Sequence, residues 1–82
     1  MSVASAINKE RLVAQGEVIY QQRLKGHLEP AYHGQIVAIE VESGDYFIGK
    51  SVTEAAKKAR AKHPQKLFYF VKIGFPAVHV HR

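Results

Sequence analysis

Between Gly34 and Ile73 a Gly44 turn splits two short apolar runs, an Ala-rich segment with a helix-start signal follows, and a third apolar run closes the unit. That order reads as strand, strand, helix, strand, and it restricts the chain to a small α+β architecture. Gln35 to Val41 places Val37, Ile39 and Val41 on one face and Ile36, Ala38 and Glu40 on the other. Both faces are largely apolar, which predicts a central strand covered on two sides. Ser43-Gly44 supplies the positive-φ position of a hairpin loop, and Tyr46 to Gly49 returns antiparallel. Ser51-Val52-Thr53-Glu54 is a capping box, in which the Ser51 hydroxyl accepts from the Glu54 amide and the Glu54 carboxylate reaches back. The helix it opens is expected to bury Val52, Ala55, Ala56 and Ala59 and to stop before Pro64. Leu67 to Ile73 is the third strand, and residues Phe75 to Arg82 are expected as a short, frayed fourth strand at the edge.

The link from strand two through the helix to strand three is a crossover, which requires those two strands to be parallel. Strand three then fits beside strand one, giving a three-stranded sheet of order 2-1-3. Alternation sorts its faces. Val37, Ile39, Val41, Tyr46, Ile48, Leu67, Tyr69, Val71 and Ile73 are expected to meet the Ala-lined helix, leaving Ile36, Ala38, Phe47, Phe68 and Phe70 on the reverse.

Ahead of this module, Ser5 to Leu28 reads as one amphipathic helix, with Ile7, Ala14 and Val18 at helical spacing and Val13, Tyr20 and Leu24 widening the stripe. Leu12 and Ile19 lie on its rear, where a second chain could cover them. Gly16 weakens the helix by ~1 kcal/mol relative to Ala, so packing must hold it. Gly26 to Gly34 reads as the connector, with Pro30 pushing Glu29 out of the helical region. The 82 residues make one domain, 1–82, composed of a helix over 5–28 and a ββαβ module over 34–82.

Cys is absent, which removes disulfides, thiolate catalysis and zinc-thiolate sites together. No apolar run approaches the roughly 18 residues of a spanning helix, and Met1 to Glu10 lacks a signal-peptide layout. The expectation is a soluble, cytoplasmic protein without a membrane partner. Net charge is +5, and the excess sits in Lys57, Lys58, Arg60, Lys62 and Lys66, with no acid between them. Such a helix could draw in nucleic acid, or be a solvated face whose cations favour the C-terminal end of the helix dipole.

The reverse face, with Phe47, Phe68 and Phe70, is too apolar to be left in water. Three covers are available: the N-terminal helix, a second copy of the chain, or RNA bases stacked on Phe68 and Phe70. His79 and His81, two apart on a strand, are the only metal candidates, and two ligands do not make a site. Asp45 sits in a turn, Ser51 is engaged in its cap, and no paired carboxylates or Ser/His/acid order suggests a reaction. The chain therefore reads as a non-enzyme without a cofactor.

Gln22-Arg23-Leu24, Leu28-Glu29-Pro30, Gly34-Gln35-Ile36-Val37-Ala38-Ile39 running into Glu42-Ser43-Gly44-Asp45-Tyr46, Glu54-Ala55, Ala59-Arg60 and Phe68-Tyr69 before Gly74 together resemble a family of small uncharacterised bacterial proteins. A looser similarity, carried by Gly49, Ser51, Glu54 and Ala55, runs to HicB-type antitoxins. It implies a non-catalytic module that binds a toxin or dimerises. The expected function is thus a small interaction module, self-associating as a homodimer and binding another protein as an antitoxin-like or regulatory subunit. Leu12, Ile19, Phe47, Phe68 and Phe70 are its partner-binding candidates. The alternative is an RNA- or DNA-binding module using the basic helix over Lys57 to Lys66.

Overall fold

The structure, a computed structural model, describes residues 9–75. A continuous N-terminal helix runs from α1 (Lys9–Ile19) through a π-helical segment (Tyr20–Leu24) into α2 (Lys25–Tyr32). Strands β1 (Ile36–Ile39) and β2 (Tyr46–Gly49), helix α3 (Val52–Lys62) and strand β3 (Tyr69–Lys72) follow. The sheet has the expected order β2-β1-β3, with both outer strands antiparallel to β1. Gly44 turns the hairpin at φ 82°, as the Ser43-Gly44 pair predicts. The expected fourth strand falls, apart from Phe75, outside the described residues, as do positions 5–8 of the expected first helix.

The capping box forms. Ser51 Oγ accepts from the Glu54 amide at 3.1 Å, and the Glu54 carboxylate accepts from the Lys50 amide at 2.7 Å, one residue further back than the simplest box. At the other end α3 stops at Lys62, ahead of Pro64. The N-terminal helix, by contrast, does not end before Pro30. It carries Pro30 internally and continues to Tyr32. Buried Leu28 and the Glu29 carboxylate, which accepts from the Tyr20 hydroxyl at 3.0 Å, hold this stretch in place against the local preference.

The helix's buried row is Gly16, Tyr20, Leu24 and Leu28, spaced by four. In a helix of about 3.6 residues per turn such a row drifts round by about 40° per step. The wider π turn at Tyr20–Leu24 absorbs one residue and brings Leu24 and Leu28 back over the sheet. The stripe therefore differs from the expected one. Ala14 and Val18 are exposed, whereas Leu12 is half-buried and Ile19 packs against the core. Gly16 is the reason: it belongs to the contact face, and a Cβ there would stand 2.7 Å from the Tyr69 Cβ.

Both sheet faces contain the residue sets that alternation predicts, but the helices covering them are exchanged. Tyr20, Leu24 and Leu28 pack on Val37, Ile39, Val71 and Ile73, with Val41, Ile48 and Tyr69 around them. Ala55 and Ala59 of α3 pack with Ala38, Ile36, Phe47, Phe68 and Phe70. Volume explains the exchange. The small helix residues sit opposite the large rings, and the large helix residues sit opposite Val and Ile. Gly49 completes the fit, since a Cβ there would lie 2.5 Å from the Ala55 amide nitrogen. Three expected core residues stay outside. Val52 is in the first turn of α3, Leu67 precedes β3, and Tyr46 lies on the β2 edge, away from the N-terminal helix, which approaches β3.

Candidate functional site

The expected partner-binding residues do not form one surface. Phe47, Phe68 and Phe70 are half-buried beneath α3 rather than projecting away from Ala55 and Ala59, so the aromatic face already has its lid. Phe47 also meets the His63 ring edge-on, with centroids 6.0 Å apart. Ile19 lies across the sheet from them, in the other core cluster, and Leu12 is half-buried on the same helix. The rear stripe expected at Leu12 and Ile19 is in fact part of the inward side, because the helix turns on Gly16.

The basic helix is largely occupied from within. Lys58 Nζ donates to the Ile48 carbonyl at 2.7 Å and stands 3.9 Å from Glu54. Lys62 Nζ lies 3.4 Å from Asp45, and Lys66 Nζ lies 2.5 Å from Glu42. These contacts pin the end of α3, and the turn after it, to the acidic hairpin loop. The Glu42 carboxylate holds the Lys66 ammonium above the ordinary lysine range. His63 Nε2 lies 2.8 Å from Asp45 Oδ2, and this hydrogen bond, helped by Lys62, lowers the Asp45 carboxyl. Lys57 and Arg60 form no ion pair with any described residue and point outward.

Beneath the loop, Glu40 is buried, at 2% exposure. Burial alone would raise its carboxyl. Hydrogen bonds from the Ser43 side chain and from the Ser43 and Glu42 amides, at 2.8 and 3.1 Å, outweigh burial and lower it, with His63 adding to the effect. Glu40 is thus the staple of the hairpin loop. At the helix–sheet seam, the Tyr20 hydroxyl donates to Glu29 and accepts from the Gly74 amide at 3.2 Å, while the Tyr69 hydroxyl donates to Glu17. Burial, reinforced by the neighbouring carboxylates, raises both phenols. These contacts leave the buried and half-buried acids, phenols and His63 committed to one another. Among the described residues no group of three His, Asp or Glu could hold a metal ion, and His79 and His81 lie outside them.

What remains unlike the rest is the pair of sheet edges. In an antiparallel ladder, successive residues turn their backbone groups alternately toward and away from the neighbouring strand. The Glu40 amide donates to the Asp45 carbonyl at 2.8 Å, and the Ile73 amide to the Gln35 carbonyl at 2.7 Å. With the strand registers, these two bonds place the backbone groups of Tyr46 and Ile48 on the outer edge of β2 and those of Phe70 and Lys72 on the outer edge of β3. On the β2 edge the Ile48 carbonyl accepts from Lys58, and the Ile48 amide and both groups of Tyr46 have no partner among the described residues. On the β3 edge the Lys72 carbonyl accepts from Phe75, but the Lys72 amide and both groups of Phe70 have no partner among the described residues. Leu67, at 57% exposure, and half-buried Phe68 flank that opening. Sequence inspection missed both edges, because which carbonyl faces outward depends on register.

No helix of the described residues is long and apolar enough to cross a membrane. Comparison of the chain with protein-family models, with curated proteins and with solved structures finds no match in any of the three.

Proposed function

We propose that this chain is a non-catalytic protein-interaction module that self-associates through the outer edge of β3, in a cytoplasmic regulatory or antitoxin-like role. The observation that supports this reading is the outer edge of β3, where, among the described residues, the Lys72 amide and both backbone groups of Phe70 have no partner. An open edge recognises an extended backbone, and strand addition supplies affinity through main-chain hydrogen bonds and selectivity through alternate side chains. Exposed Leu67 lies just ahead of this edge strand. The nucleic-acid alternative retains Lys57 and Arg60 as outward cations, since Lys58, Lys62 and Lys66 are engaged within the fold.

The test separates the backbone from the side chain. Lys72 is exposed and its amide points outward, so Lys72→Pro removes an edge donor while sparing the β1 ladder, and Lys72→Ala keeps that donor. Sedimentation across the micromolar range should show self-association for the wild type and Lys72→Ala, and a monomer for Lys72→Pro. A wild-type monomer throughout would refute self-association. Protection of the Phe70 and Lys72 amides in that monomer would mean that the chain's own residues fill the edge. Salt-sensitive oligonucleotide binding that disappears in Lys57→Ala/Arg60→Ala would favour the alternative instead.

A further inference from the structure

The chain leaves β3 through a turn over residues 72–75, closed by the Phe75 amide on the Lys72 carbonyl at 3.1 Å. Gly74, its third residue, has φ 89°, while Ile73 before it lies outside the positive-φ region, which makes the turn type II. Hairpins use the mirror-image turns, because a type II turn splays the strands it joins. The exit is therefore aimed away from the β3 edge. His33, the residue that closes α2, fixes its direction. The imidazole fits against Gly74, where a Cβ would overlap it, and its centre is 5.0 Å from that of the Phe75 ring. The Lys72 ammonium stands over the same ring, 4.6 Å from its centre.

We propose that the shallow groove along the exposed side of α2 is the docking site of this chain's own residues 76–82. Gln21, Lys25, Gly26, Glu29, Pro30 and His33 line it, so the residue that holds Phe75 also forms one end of the groove. Length fits. From His33 back to Gln21 is about 18 Å along a helix, and the seven residues after Phe75 reach about 23 Å when extended. Chemistry fits as well. Pro76, Ala77, Val78 and Val80 bring apolar surface to Gly26 and Pro30, and the segment carries His79, His81 and Arg82 but no acid. The acid of the groove is half-buried Glu29, which commits one oxygen to the Tyr20 hydroxyl. A tethered segment that starts at the groove's rim also outcompetes a free one through its effective concentration. Docking there leaves the β3 edge to other strands and does not depend on whether that edge pairs.

The chain has no cysteine, so a pair of introduced thiols reports on the docking alone. Gly26 lies about 10 Å along the helix from His33, and Val78 lies about 10 Å of extended chain beyond Phe75, which sets the two opposite each other. A Cβ at Gly26 meets nothing within 4 Å, so a thiol is accommodated there. Gly26→Cys/Val78→Cys should lose both free thiols within the monomer under mild oxidation, because bridging requires Cα atoms within about 7 Å. Lys57→Cys/Val78→Cys, with its first thiol on the outward side of α3, should keep them. A Gly26→Cys/Val78→Cys protein that stays reduced, bridges only between molecules, or oxidises no faster than the Lys57→Cys pair overturns the docking. The unmodified chain gives a second readout. Nuclear Overhauser contacts from the Val78 and Val80 methyls to Gly26 and Pro30 are expected; contacts to Phe70 and Lys72 instead, or to neither pair, refute the proposal.

Discussion

Replacing Gly16 with Ala tests the packing of the N-terminal helix most directly. In a helix exposed on all sides the change would stabilise by about 1 kcal/mol. Here the new methyl would stand 2.7 Å from the Tyr69 Cβ, with the base of the ring on the same side. Rotating the side chain can move the ring but not the Tyr69 Cβ, so either β3 or the helix must shift. Overpacking of this kind costs about 1–3 kcal/mol, and a displaced Tyr69 also forfeits its bond to the Glu17 carboxylate, worth about 1.5–3 kcal/mol. After subtracting the gain in helix propensity, a net loss of about 3 kcal/mol is expected, which for a domain of this size lowers Tm by about 12–24 °C. Gly26→Ala is the control, because nothing lies within 4 Å of a Cβ there; it should raise stability by up to about 1 kcal/mol. Thermal and urea melts of both variants decide the matter. A Gly16→Ala protein as stable as the parent would mean that the helix does not rest on Tyr69.

Two pH limbs should also be visible. The Glu40 and Asp45 carboxyls are lowered in the fold, so their stabilisation is present above the unfolded value near pH 4 and is lost as pH falls through the folded values. Urea midpoints should therefore drop on acidification. Glu40→Gln should lose about 1–3 kcal/mol at neutral pH and show a shallower acid limb; an unchanged limb would remove Glu40 from the account. Tyr20 and Tyr69 are raised, so their contribution is present below the unfolded value near pH 10 and lost as pH rises through the folded values. Ultraviolet titration should show late-ionising phenols, fewer of them in Tyr69→Phe, and a single early step would contradict the buried seam.

Much of the fold is legible in local chemistry. The alternation in Gln35 to Val41, the Gly44 turn and the Ser51/Glu54 cap each act within a few residues, and strand order follows from the crossover. Which helix covers which face was not legible, because β1 is apolar on both sides and either assignment satisfies its alternation. The deciding quantity was volume matching between alanines and phenylalanines, which involves residues far apart in sequence. The Leu12 and Ile19 error has a similar origin. A stripe built from apolar residues scores Gly16 as a gap, although here the gap is the contact. The candidate site suffered most. A run of five cations looks like one field, yet three of them reach the hairpin on the far side of a turn, and only the register shows which carbonyl Lys58 closes.

The π turn at Tyr20–Leu24 has a consequence for chain length. It is an absorbed insertion: a chain lacking exposed Gln21 could close into a regular helix, shorter by about 1.5 Å, with Leu24 and Leu28 still aimed at β1 and β3. Loss of Gln15, only six positions earlier, would instead swing Leu12 and Val13 round by about 100° relative to Tyr20. Melting curves of the two deletions should diverge accordingly, and equal damage from both would deny the turn that buffering role.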